Sequence, residues 1–222
     1  MVNNTVDNIR NEFLRMHAKR KLNGLGLLEI LGASFIADED SIFGVVNKSY
    51  VEREIEWYNS QSLSVNDLQD APKIWKAIAS NTGKINSNYG WCIYSEANNY
   101  QYMKAFTALQ ENPRTRQAIM IYTRPSMHED AVTDGMRDFI CTNAVTYSMS
   151  EGRLNATVQM RSNDAVYGYK NDYAWQKHVL NNLARDLDVP VGVIIWQAAS
   201  LHIYPRHFNL LDRLNDTRMP LK

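Results

Sequence analysis

Cys141 closes the run GMRDFIC, just ahead of a segment rich in Val, Thr and Tyr. A thiolate attacks electron-poor carbon readily, but a thiol ionises near neutral pH only where cations stand close by. Arg116, Arg124 and Arg161 are the candidates for those cations. The commoner fate of a free cysteine is to fill the core as a small hydrophobe. Glu54 lies in EREIEWY, where an acid ordinarily faces water; Trp57, Tyr58 and Trp75 could instead bury it and raise its pKa toward general-acid use. Arg161-Ser162 offers a guanidinium fork beside a hydroxyl, a workable anion site or simply a solvated strand end. His202 and Tyr204 stand two apart, so a strand would turn both to one side, where they could meet a hydroxyl-bearing ligand. Asp172, in GYKNDYAW, could cap a helix start or act on a ligand. The five histidines show no HExxH or similar metal spacing, and no metal is expected.

These side chains need elements to hold them. Val6, Ile9, Phe13 and Met16 recur at helical spacing, and the basic segment KRKLNGLG follows. LLEILGASFIA reads as a strand interrupted by glycine, and SYVEREIEWYNS as a helix with Ser49 as its cap. A further helix is expected from Glu96 to Leu109, and QAIMIYTRP as a buried strand. In ICTNAVTYSMSEGRLNATVQMRS two β-prone runs flank Ser150-Glu151-Gly152, the pattern of a hairpin. A helix from Asp172 to Asp188 sets Val179, Leu180, Leu183, Ala184 and Leu187 on one face, and PVGVIIWQAASLHIY is a last strand. Strands and helices mix without βαβ alternation, which predicts an α+β fold around a large mixed sheet, a single domain over residues 1–222.

The bulk properties narrow the function by exclusion. An apolar fraction of 45% and a charged fraction of 22% are ordinary for a soluble domain. A formal net charge of zero argues against a nucleic-acid or membrane-surface partner, so any anion must be held by a local cluster. No apolar run suits a membrane span, and MVNNTVDNIRNEF lacks a signal-peptide core. Two cysteines, Cys92 and Cys141, suit free thiols in a cytoplasmic setting.

Taken in order, E54-I-E-W-Y58, N112-P-R-T-R116, C141, Q159-M-R-S-N-D164, G168-Y-K-N-D172 and S200-L-H-I-Y204 resemble the thymidylate synthase superfamily from about residue 28 to 210. The resemblance implies that family's fold. Thymidylate synthases carry asparagine where this chain has Asp172, and that amide contacts N3–H and O4 of uracil. Cytosine presents an acceptor and an amino group instead, which a protonatable carboxyl can match. Aspartate here, with EILGASFIADE, INSNYGW, IMIYTRPSM, MRSNDAVYG, NDYAWQK and SLHIYPRHF, resembles the bacteriophage deoxycytidylate hydroxymethylase branch.

That resemblance implies roles. Cys141 would add to C6 of the pyrimidine, Glu54 would handle protons and ordered water, and Asp172 would read the base with Asn171 beside it. Arg161 and Ser162 would hold the phosphate, joined by Arg116 from a neighbouring subunit and by Lys21 (or Arg20 or Lys19). Gln117 departs from the family's paired arginines, with Arg114 or Arg124 as candidate substitutes. His202 and Tyr204 would bind the sugar 3′-hydroxyl, while Asp164, Trp75 and Tyr89 would line the site of 5,10-methylenetetrahydrofolate. The implied reaction gives 5-hydroxymethyl-dCMP and tetrahydrofolate in an obligate homodimer. CMP as substrate, a methylated product, and a catalytically silent nucleotide- or RNA-binding relative are the competing readings. The end of the chain, MPLK, does not show the synthase-type tail that closes over folate.

Overall fold

The computed structural model describes residues 4–218, so the MPLK tail lies outside the described residues. Its elements, in order, are α1 (Val6–Ala18), β1 (Leu28–Ile36), α2 (Lys48–Asn59), α3 (Lys73–Ile78), α4 (Tyr89–Tyr94), α5 (Gln101–Glu111) and β2 (Ile119–Ile121). There follow α6 (Met127–Asp130), β3 (Thr142–Ser150), β4 (Arg153–Met160), β5 (Asn163–Asp164), α7 (Gly168–Asp186), β6 (Val191–Ile203) and α8 (Phe208–Arg218). The strands form one mixed sheet in the order β1-β6-β4-β3-β2, with β5 pairing β6 in parallel. Helices flank it, the expected α+β arrangement. Two compact units divide the chain. One gathers the chain up to Val46, Thr157–His178 and everything from Val193; the other gathers Asn47–Ala156 and Val179–Gly192.

In the first unit β1 and β6 run antiparallel, with Glu29 opposite His202 and Leu31 opposite Ser200. Gly32 takes a left-handed φ of 62°, yet the register continues unchanged on both sides, so the glycine bends the strand without ending it. Helix α1 buries Val6, Ile9, Phe13 and Leu14, with Leu14 in place of the expected Met16. The Asn8 side chain accepts from the Thr5 backbone N–H and closes its first turn. Helix α7 starts at Gly168, four residues before the expected Asp172. A Cβ at Gly168 would lie 3.2 Å from Asn163 Nδ2, 3.4 Å from Asp164 Cβ and 3.6 Å from an Asp172 carboxylate oxygen. Glycine therefore serves close approach here. Tyr169 anchors the helix against Phe35 and Trp196, ring centroids 5.8 and 5.1 Å away.

In the second unit α2 carries Tyr50, Glu54, Trp57 and Tyr58 on its buried face. Its cap is Asn47, which accepts from Tyr50 N, and the expected Ser49 instead donates to the Asn47 side chain. Asn88 caps α4 and donates to the carbonyls of Trp57 and Ser62. Gly90 makes the closest approach: a Cβ there would stand 1.8 Å from the Tyr58 carbonyl oxygen. The helix expected over 96–109 is broken. A 3-10 turn at Glu96–Asn98 ends in left-handed residues at Asn99 and Tyr100 before α5 begins. Strand β2 is not buried as expected; as the last strand of the sheet it hides Met120 and exposes Ile119 and Ile121. Between β3 and β4, Glu151 (φ 52°) and Gly152 (φ 70°) make the two-residue turn that a right-twisted hairpin favours.

Candidate active site

Helix periodicity places Tyr50 one turn before Glu54, and both side chains are buried. The Tyr50 hydroxyl donates to Glu54 Oε1, and Trp75 Nε1 donates to the Tyr50 oxygen at 2.9 Å. Glu54 is only 4% exposed, so the aromatic burial expected of it is present. Trp57 meets Trp75 edge-on and stacks on Tyr58, and Tyr58 in turn stacks on Tyr89 at 5.2 Å. Thus Glu54, Trp75 and Tyr89 belong to one aromatic cluster. Tyr50, which the sequence reading missed, joins two of its members. The spacing of four residues on one helix was the available signal.

The same unit separates its two thiols by environment. Cys92 is buried, which pushes its thiol up to about 12 and leaves it inert near neutral pH. Cys141 is half-buried immediately before β3, its Sγ 3.9 Å from the Phe139 carbonyl oxygen. Of the cations considered for it, Arg124 is engaged through Nη2, while its buried Nη1 has no hydrogen-bond partner among the described residues. Its Nη2 donates to Asn86 Oδ1 at 2.6 Å and pairs with Asp130 at 3.2 Å, while its guanidinium lies over Trp91. Arg116 is exposed in the stretch between α5 and β2. Buried Asp138 accepts from Ser87 Oγ and from the backbone N–H groups of Asn86 and Ser87, and its pKa is nonetheless raised by burial.

In the first unit Arg161 and Ser162 are half-buried directly after β4, at the mouth of the two-residue strand β5. Asp172 is the fifth residue of α7, so it does not cap that helix as its type allowed. Buried Asn163 donates its Nδ2 to Asp172 Oδ2 at 2.8 Å. Nothing local in the sequence points to Asn163, because the contact depends on β5 and α7 meeting around Gly168. Asn171 precedes Asp172 and is also half-buried. Asp164 accepts from Val166 N and stands 3.7 Å from the Arg206 guanidinium.

His202 and Tyr204 come together as expected, rings edge-on at 4.9 Å, with Arg206 stacked over Tyr204 at 4.1 Å. Tyr204 lies just past the end of β6 in extended backbone, which keeps the strand's alternation. Behind His202, Ser200 and Glu29 form a hydrogen-bonded chain that the sequence did not announce. The Glu29 carboxyl lies below its ordinary range, first because Ser200 donates to it and then because Asn23 does. Lys21, two residues from Asn23, is exposed. Among the described residues no helix is long and apolar enough to cross a membrane.

Comparison with known proteins gives this geometry a context. The family model described as "Thymidylate synthase" matches residues 44–220. Deoxycytidylate 5-hydroxymethyltransferases of Enterobacteria phages T4, T2 and T6 are each 53% identical over 197 residues, covering 85% of this chain and 80% of theirs. A thymidylate synthase of Francisella philomiragia is 24% identical over 216 residues, 89% of this chain and 78% of that protein. The solved structure of the thermostable thymidylate synthase A from Bacillus subtilis has the same fold, with a TM-score of 0.67 at 21% identity over 88% of this chain and 73% of that one.

Proposed function

The chain belongs to the thymidylate synthase family, and from that membership we propose that it transfers a one-carbon unit to C5 of dCMP with addition of water, giving 5-hydroxymethyl-dCMP. One observation carries the choice of substrate and product: 53% identity over most of the chain to phage deoxycytidylate 5-hydroxymethyltransferases. Aspartate at position 172, within the helix and oriented by Asn163, is consistent with it.

Cys141 is the nucleophile. Its thiolate adds to C6 of the ring, the electron pair moves to C5, and C5 becomes the carbon nucleophile. When bound, 5,10-methylenetetrahydrofolate supplies the carbon that C5 captures, and tetrahydrofolate leaves. It is removal of the C5 proton that releases tetrahydrofolate and leaves an exocyclic methylene on the ring; water then adds to that methylene, and the thiolate is expelled. Glu54 moves protons and orders the water. Tyr50 donates to its Oε1, so that oxygen is held as an acceptor. Asp172 recognises cytosine by accepting from the amino group and sharing a proton with N3. Arg161 and Ser162 grip the phosphate, with Lys21 closing on it, and His202 and Tyr204 hold the sugar hydroxyl.

The residues present suit a reduced pterin. Half-buried Trp75 would offer a flat apolar face, with buried Tyr89 packed into the same aromatic cluster against Tyr58, and half-buried Asp164 would offer an acceptor for ring N–H groups. The protein acts as a homodimer in which Arg116 reaches the neighbour's phosphate site. The exposed apolar residues Ile119 and Ile121 of β2, 39% and 50% accessible, support an interface on that unit.

Purified protein incubated with dCMP, CMP or dUMP plus the folate, with products identified by mass, tests this reading. Conversion of dCMP to a product heavier by one hydroxymethyl group is expected. A methylated product, faster turnover of CMP, or turnover of dUMP alone would each refute the assignment.

A further inference from the structure

Glu29, Ser200 and His202 meet where β1 and β6 pair. Ser200 Oγ lies 2.5 Å from Glu29 Oε1 and 3.4 Å from His202 Nδ1. A serine hydroxyl has one proton, and an ionised carboxylate can only accept. The Ser200 proton is therefore spent on Glu29, and toward His202 the hydroxyl can only accept. The other Glu29 oxygen accepts from Asn23 Nδ2 at 2.7 Å. Asn23 itself cannot turn over, because its Oδ1 accepts from the backbone N–H groups of Leu25 and Leu27 at 2.9 and 3.0 Å. Each donor and acceptor in the chain is thereby fixed in direction, starting from two backbone amides.

We propose that Glu29, acting through Ser200, is a positioning residue that sets the tautomer of His202: Nδ1 carries the proton and Nε2 is the acceptor offered to a ligand hydroxyl. This rests on the reading of His202 as a sugar-hydroxyl ligand. It adds the direction of that hydrogen bond, with the nucleotide hydroxyl donating and the imidazole accepting. It also accounts for a carboxylate on a strand directly opposite a histidine that is only 6% exposed.

Nitrogen-15 NMR of the ring nitrogens of His202, in the full-length protein at a pH where the ring is neutral, tests the proposal without any turnover. Protonated Nδ1 is expected in the wild type, and a proton on Nε2 overturns the proposal outright. Glu29→Gln gives a sharper check. Since Asn23 presents only N–H groups, a glutamine must turn its oxygen toward Asn23 and its amide nitrogen toward Ser200. Ser200 then accepts from the glutamine and donates to Nδ1, so the tautomer should invert. Ser200→Ala, a second variant, should leave a mixture of both. Unchanged Nδ1 protonation in either folded variant overturns the relay.

The functional consequence is read by nucleotide binding. Because a hydroxyl accepts as well as donates, Glu29→Gln reverses the bond to the 3′-hydroxyl rather than removing it, so dCMP should weaken by about threefold while 2′,3′-dideoxy-CMP stays within about 1.5-fold. Equal loss on both nucleotides would mean that Glu29 only supports the strand pair. If the wild type shows the Nδ1 tautomer but neither nucleotide binds, the tautomer assignment stands and the nucleotide reading fails.

Discussion

Two acids in this chain differ in what their neighbours ask of them. Asp172 sits a full turn inside α7, where a carboxylate no longer serves the helix start, and a buried amide holds one of its oxygens. Asp172→Asn should keep the fold, since the helix loses no cap. It should lower kcat/KM for dCMP by roughly a thousandfold while raising the dUMP-to-dCMP ratio, because a mismatched buried polar pair is left on the cytosine side. Loss of equal size on both nucleotides would make Asp172 structural. Glu54 depends on Tyr50 for one of its oxygens. Tyr50→Phe should lower kcat about tenfold and leave dCMP affinity within about twofold, a split that steady-state kinetics resolves and that a folding defect would not produce. The two thiols make a third contrast. Cys141→Ala should abolish turnover with dCMP binding retained. Cys92 bears on stability instead. Its folded thiol ionises only near 12 against an ordinary value of 9.0, so it contributes stability below pH 9 that is lost as pH climbs toward 12. Denaturant unfolding of Cys92→Ala should show a lower stability at pH 7 but a shallower decline above pH 9.

At the scale of elements, position depends on a few close approaches. Gly90 lets α4 press onto the end of α2, which brings Tyr89 against Tyr58. Gly90→Ala must push the helices apart, since its Cβ would lie 1.8 Å from the Tyr58 carbonyl oxygen. A cost of about 3 kcal/mol is expected, or a fall in Tm of roughly 6–12 °C, measurable by calorimetry. Gly152→Ala, at φ 70° but with nothing within 4 Å, should cost only about 1–2 kcal/mol from backbone strain. Much of this layer was legible in the sequence. The period-two runs around Glu151-Gly152, the apolar stripe of α1 and the long strand β6 follow from local pattern and turn chemistry alone. The misread points have two causes. Asn47 rather than Ser49 caps α2, Asn99 and Tyr100 break the helix expected over 96–109, and α7 starts at Gly168. The last two were decided by left-handed residues or a close tertiary approach that propensity does not encode, whereas at α2 two good caps stood two residues apart and Asn47 took the Tyr50 N–H. The site divides the same way. Cys141, Glu54, Asp172 and the His202–Tyr204 pair stand out by type and order, whereas Asn163, Glu29 and Ser200 act through partners 9 or 171 positions away.

For the molecule as a whole, zero net charge and an exposed apolar edge on β2 fit a protein that hides surface against a second copy. If Arg116 serves the neighbour's phosphate site, each active site takes its thiol from one chain and an arginine from the other. Complementation isolates that arrangement. Cys141→Ala protein has intact arginines and dead thiols; Arg116→Ala protein has intact thiols and a weakened phosphate grip. Unfolding and refolding the two together should yield mixed dimers in which one site of two is whole. With statistical pairing, activity at low dCMP should return to about a quarter of the wild-type value, well above the sum of the separate variants. An arginine acting within its own chain would leave mixed dimers with no intact site, and the mixture would show only the average of its components. Sedimentation of Ile121→Glu protein supplies the companion measurement: if the chain pairs through this edge as proposed, a charge placed on the half-exposed position should shift it toward monomer, and activity should fall with it at low protein concentration.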